Sequence, residues 1–88
     1  MNNTPMPTSA ELESAVLKAL ESKGGNSTNT EIYQWVVTNL KISQSQLEVM
    51  RSGNRSEIEY RLAWARTRAS KKGLIHRNGP SSWALTNK

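Results

Sequence analysis

The sequence predicts a mainly helical domain that ends in a small β-hairpin, and three observations carry this expectation. One helix-start signal, Ser or Thr with Glu or Gln three residues later, recurs at Thr8/Glu11, Thr28/Glu31, Ser43/Gln46 and Ser56/Glu59. Ile58, Leu62, Ala65 and Ala69 recur at spacings of four, three and four, which stacks them on one face of a long helix. After Gly73 the period changes to two, with Trp83 and Leu85 on one face of a strand. Three main helices, one short helix and a two-stranded wing make a winged helix-turn-helix layout.

Each element has its own justification. Residues 1–7, with two prolines, two asparagines and no periodicity, read as a disordered N-terminal tail, and residues 8–88 as the domain. Leu12, Ala15, Val16, Ala19 and Leu20 form the apolar stripe of a first helix over about 9–23. Lys23 suits its C-terminal dipole, and Gly24 the left-handed residue that follows. Gly25 to Ser27 reads as a turn or a very short strand. Ile32, Trp35, Val36 and Leu40 mark the second helix, broken only by Asn39. In the short third helix Ile42 can staple onto Leu47, with Met50 continuing the face. Arg51 to Asn54 reads as a loop. Ser56 starts the long helix, with Asn54/Glu57 a competing start, and Gly73 stops it. Leu74 to Arg77 reads as a strand, Asn78-Gly79 as the turn and Ser82 to Thr86 as the return strand. The Arg77–Ser82 loop is longer than a two-residue turn, as a protruding wing would be.

A chain of 88 residues makes one small domain with a thin core. With no Phe, the three Trp and two Tyr are expected to supply much of the core's bulk. There is no Cys, so neither disulfides nor thiolate metal sites are available, and a single His makes no zinc site. No run approaches the length of a membrane span, and MNNTPMP lacks the order of a signal peptide. The expectation is a cytoplasmic protein with no cofactor, no metal, no membrane partner and no small-molecule substrate. The chain contains no Asp, and its seven Glu fall mostly at capping or surface positions, so no nuclease-type carboxylate cluster is present. His76 has no acidic neighbour in sequence and reads as a strand residue. No catalytic constellation follows.

Charge distribution points to a partner. Residues 1–40 carry a net −2, whereas residues 41–88 carry a net +7. Such asymmetry favours a polyanion, although a solvated basic face would show the same count. On a wheel of the long helix, the side opposite Ile58, Leu62 and Ala69 holds Tyr60, Ala63, Trp64, Thr67, Ser70 and Lys71. Arg66 lies on one flank, with Arg61 and Arg68 on the other. Small and hydroxyl side chains suit a helix entering the major groove of double-stranded DNA, its flanking cations on phosphates. Thr67 and Ala63 could meet the methyl groups of thymine or of methylated cytosine. The candidate DNA-binding residues are Arg55, Tyr60, Ala63, Arg66, Thr67, Arg68, Lys71 and Arg77. Trp64 reads as a structural aromatic at the core's edge or under the wing, and Arg61 as tied to Glu57 one turn earlier.

Laid out this way, the chain resembles the N-terminal winged-helix domain of Mrr-type, modification-dependent restriction endonucleases. The resemblance runs from Met6-Pro7 to Thr86. It is carried chiefly by the run Arg61 to Thr67 (RLAWART), then Lys71, Gly73-Leu74-Ile75 and Trp83 to Thr86, with Glu31-Ile32 and Ser52-Gly53 at matching intervals. It implies DNA binding, with cleavage in a separate C-terminal nuclease domain. Two features depart from the pattern. Arg68-Ala69 stands where an acidic residue and Leu are usual, and Gly79 to Ser82 where Arg-Gly usually precedes the wing aromatic. The first adds positive charge and thins the apolar seam. The ending just after the second wing strand leads us to expect a piece of a longer chain, with a free-standing transcription regulator as the other context. A winged helix that docks a protein or forms a homodimer through Tyr60 and Trp64, without DNA, is the alternative function.

Overall fold

A computed structural model describes residues 6–52 and 55–86. The elements run α1 (Ser9–Ser22), β1 (Asn26–Thr28), α2 (Asn29–Asn39), α3 (Gln44–Leu47), β2 (Met50–Ser52), β3 (Arg55–Ser56), α4 (Glu57–Lys71), β4 (Ile75–Gly79) and β5 (Ser82–Leu85). All four helices begin with the expected reciprocal cap. In each, the Ser or Thr side chain accepts from the N3 backbone N–H, while the Glu or Gln side chain accepts from the cap's own N–H. Ser56, and not Asn54, caps the long helix.

Helix ends are equally regular. After α1, Gly25 N–H donates to Leu20 C=O and Gly24 N–H to Glu21 C=O, with Gly24 at φ 80°. After α4, Leu74 N–H donates to Ala69 C=O and Gly73 N–H to Ser70 C=O, with Gly73 at φ 78°. Both are Schellman closures, in which a residue without a Cβ takes the left-handed conformation. The end of α2 closes by the same bond, Ile42 N–H to Val37 C=O, but here Lys41 holds φ 54°. A left-handed L-residue costs about 1–2 kcal/mol, and Gly gives back roughly 0.5–1 kcal/mol through its freer unfolded chain. Lys41→Gly is therefore expected to stabilise the domain by about 0.5–1 kcal/mol, read as a higher urea midpoint at unchanged slope.

The core lies between α1, α2 and α4. Leu12, Ala15, Val16, Ala19 and Leu20 of α1 are buried, as are Ile32 and Val36 of α2 and Ile58, Leu62, Ala65 and Ala69 of α4. Ile75 of β4 closes one end. The aromatic bulk is not at the centre, contrary to expectation. The fully buried large side chains are Leu, Ile and Val, while Tyr33, Trp35 and Trp83 pack around them, only partly buried. Alanines on the facing stripes of α1 and α4 leave no room for a ring between those helices. Pro7, at the end of the expected tail, is buried as well.

The β-structure is richer than a lone wing. β4 and β5 pair antiparallel, and β1 adds to the outer edge of β5, giving the order β1-β5-β4. Gly79 pairs with Ser82, so the tip is Pro80-Ser81 and Asn78-Gly79 belongs to the strand. This corrects the longer loop read from the sequence. Pro80 takes the second position of the turn, which suits its fixed φ. A Cβ on Gly79 would stand 2.7 Å from Ser82 Oγ, a contact that rotation of the serine side chain relieves. The extra length appears instead as a register shift between Arg77 and Gly79. A second, two-stranded sheet, β2-β3, takes in Arg51 and Ser52 of the expected loop, and Gly53 and Asn54 lie outside the described residues. Met50 starts it and is 52% exposed, so it does not continue the apolar face of α3.

Candidate nucleic-acid interface

α4 has two distinct sides. Its seam faces the core; its outer side carries Tyr60, Ala63 and Thr67, all half-buried, and the exposed Lys71. None of these four is sealed beneath another element. Trp64 is 47% exposed and borders a hollow with Pro7 and the buried Leu12, so it stands at an exposed edge beside α1 and not under the wing. Thr67 Oγ1 donates to Ala63 C=O at 3.0 Å, which folds the hydroxyl against the helix's own backbone.

The outer side is continuous with the hairpin. A cleft of about 300 Å³ between α4 and the β4–β5 hairpin is lined by Ala63, Arg66, Thr67, Ser70, Arg77 and Trp83. A shallower hollow beside it is formed by Tyr60, Ala63, Trp64 and Thr67. The sequence candidates Ala63, Arg66, Thr67 and Arg77 thus meet in one cleft, Tyr60 adjoins it, and Lys71 lies one turn beyond Thr67. Arg66 also lines a larger cleft of about 460 Å³ on its other side, with Asn29, Thr30, Tyr33, Gln34, Glu59 and Leu62. There burial, followed by the charge of Glu59, pushes the Tyr33 hydroxyl above its ordinary pKa.

Other candidates are placed elsewhere. Arg68 turns to α1, where its Nε lies 2.8 Å from Glu13 Oε2, and Lys72 Nζ lies 2.6 Å from Glu13 Oε1. The Lys72 ammonium above all, joined by the Arg68 guanidinium, holds the Glu13 carboxyl below its usual range against the opposing effect of burial. The added charge of Arg68 is therefore matched by an acid from the other half of the chain, and Arg68 is not brought together with the cleft residues. Arg61 Nε pairs with Glu57 Oε2 at 2.6 Å, as its spacing predicts. The side chain of Arg55 lies outside the described residues.

Three cleft neighbours escaped the sequence reading. Ser70 is on the outward face in the sequence reading without being among the candidates, and the structure places it in the cleft. Trp83 reads from the sequence only as part of the hairpin, and Asn29 carries no signal in the sequence beyond following the Thr28 cap. Their signal is the strand register: Arg77 pairs directly with Trp83, and the guanidinium carbon stands 5.3 Å over the indole ring centroid. Trp83 Nε1 donates to Asn29 Oδ1 at 2.9 Å. A turn at Pro80-Ser81 by itself would set Asn78 opposite Trp83; the register shift between Arg77 and Gly79 is what brings Arg77 there, and no local pattern announces it.

Four helices with a small three-stranded antiparallel sheet, the long last helix backed by a hairpin, define a domain compatible with a winged helix. The model of the Mrr N-terminal domain family matches residues 10–88, and the chain belongs to that family. No curated protein and no solved structure matches it. The family match gives the chain a restriction-system context and covers an N-terminal domain, with no catalytic domain in the matched span. Among the described residues, no group of three or more His, Cys or Glu could hold a metal ion. No helix among them is long and apolar enough to cross a membrane.

Proposed function

We propose that this domain binds double-stranded DNA as the target-recognition part of an Mrr-like restriction system. α4 enters the major groove, and the β4–β5 hairpin follows the phosphate backbone. The observation that supports this best is the cleft where Ala63, Thr67 and Ser70 meet Arg66 and Arg77, with Lys71 exposed beside it. A groove about 12 Å wide admits one helix of about 10–12 Å diameter, and small side chains let that helix approach base edges. The cations at the sides of the groove then neutralise phosphates. Methyl-bearing Ala63 and Thr67 suit thymine or methylated cytosine.

The test is a titration of labelled duplex, methylated and unmethylated, at several salt concentrations. Contacts from Arg66, Lys71 and Arg77 give a log–log slope of about −3, at ~0.9 per phosphate. A flat salt dependence would overturn the reading. Thr67→Ala is expected to change preference between the two duplexes and leave the slope alone.

One observation favours a second function. Trp64, 47% exposed beside Tyr60, offers an aromatic anchor for a protein partner or a second copy. Sedimentation giving a salt-insensitive dimer, without DNA binding, would select it.

A further inference from the structure

We infer that Asn29 and Trp83 are positioning residues, which hold the Arg77 guanidinium at the mouth of the α4–hairpin cleft for contact with a DNA phosphate. The inference rests on the DNA-binding reading and adds to it a specific chain of contacts. Arg77 is exposed and long, and such a side chain ordinarily loses rotamer freedom when it binds. Here the indole of Trp83, its cross-strand partner, supplies a face at 5.3 Å that restricts the guanidinium before any ligand arrives. The indole is itself oriented. Its N–H donates to Asn29 Oδ1 at 2.9 Å, and the same Asn29 donates its backbone N–H to Ser81 C=O at 2.8 Å. One residue at the start of α2 therefore fixes both the ring under Arg77 and the tip of the hairpin. Pairing of β1 with β5, Ser27 opposite Trp83, ties the same corner a third time.

The ring has no other polar task. The partly buried ring packs against the core, its nitrogen finds Asn29, and the Arg77 guanidinium lies over its face. An arginine ordered before binding contributes its full contact, whereas a freely rotating one loses part of it to ordering. Asn29 touches no base or phosphate in this scheme. It acts through Trp83.

The experiment compares the full chain with Asn29→Ala, Trp83→Phe, Arg77→Ala and the double variant Asn29→Ala/Arg77→Ala, on one labelled duplex. Fluorescence anisotropy is read between about 50 and 200 mM salt, the range over which phosphate contacts are resolved. Arg77→Ala removes one phosphate contact, so its slope falls by ~0.9 and its loss of affinity across that range is three- to fourfold smaller than wild type's. Asn29→Ala and Trp83→Phe are expected to shift the slope in the same direction, although neither removes a charge. Adding Asn29→Ala to Arg77→Ala should change nothing further. A purely structural loss would lower binding by the same factor at every salt concentration and leave the slope alone. Wild-type slopes in both Asn29→Ala and Trp83→Phe, beside a shallower Arg77→Ala, overturn the inference and leave the DNA reading standing. A wild-type slope in Arg77→Ala also overturns it. Failure of the wild-type chain to bind duplex at any salt overturns both.

Discussion

Leu62→Ala is expected to destabilise the domain by about 3 kcal/mol, within the 2–5 kcal/mol typical of deleting a buried leucine side chain. Leu62 is 1% exposed and lies midway along the seam of α4. The seam's next members toward the C-terminus are Ala65 and Ala69, and α1 contributes Ala15 and Ala19 to the same core. Alanines cannot extend into a void, and both helices are held by caps at their starts, so the cavity collapses little. A domain of this size has a total stability of only about 5–10 kcal/mol. The loss should lower the thermal midpoint by more than about 10 °C. Trp64→Ala is the matched control, because Trp64 is on the opposite side of α4 and 47% exposed. It should cost less than about 1 kcal/mol. Equal costs at the two positions would mean that the seam and the outer side have been exchanged.

Lys71→Glu is expected to weaken duplex binding about tenfold or more at ~0.1 M salt. One phosphate contact at ~0.9 counterions is worth roughly 1.2 kcal/mol there, and reversal adds repulsion to that loss. Lys71 is exposed in the last turn of α4, where a basic side chain also favours the helix dipole. The same substitution should therefore lower stability slightly, by about 0.3–1 kcal/mol. Lys72→Glu is the informative companion. Lys72 is paired with Glu13, so its reversal should reduce folding stability more than Lys71→Glu does and affinity less. Equal affinity losses at both positions would indicate a diffuse field and not a defined surface.

Much of the architecture was legible because its signals are local. Each cap needs only residues three apart, and both Gly24 and Gly73 mark left-handed positions that another residue takes at a cost. Lys41 shows the limit of that rule: its left-handed closure has no glycine to announce it. The β2-β3 sheet was illegible because strands of three and two residues are too short to show an alternation. The pairing of β1 with β5 was hidden by distance, since Ser27 and Trp83 share no local pattern. Of the candidate interface, the side of α4 was legible from helical period alone. The partners were not: Glu13 reaches Arg68 across 55 residues, and Asn29 reaches Trp83 across 54. Side-chain type identifies a cation but not the acid that a fold will bring to it.

The strand order β1-β5-β4 has a bearing on how the molecule comes into being. Because β1 is made early and its sheet partner among the described residues is β5, the N-terminal helices can form and pack while residues 26–28 still wait for a neighbour. A ribosome delivers residues 82–85 after every other described element, and only then can the start of α2 be latched to the hairpin. Contacts over so many residues form slowly, and the latch shares this with the packing of α1 on α4, so both should complete late in folding.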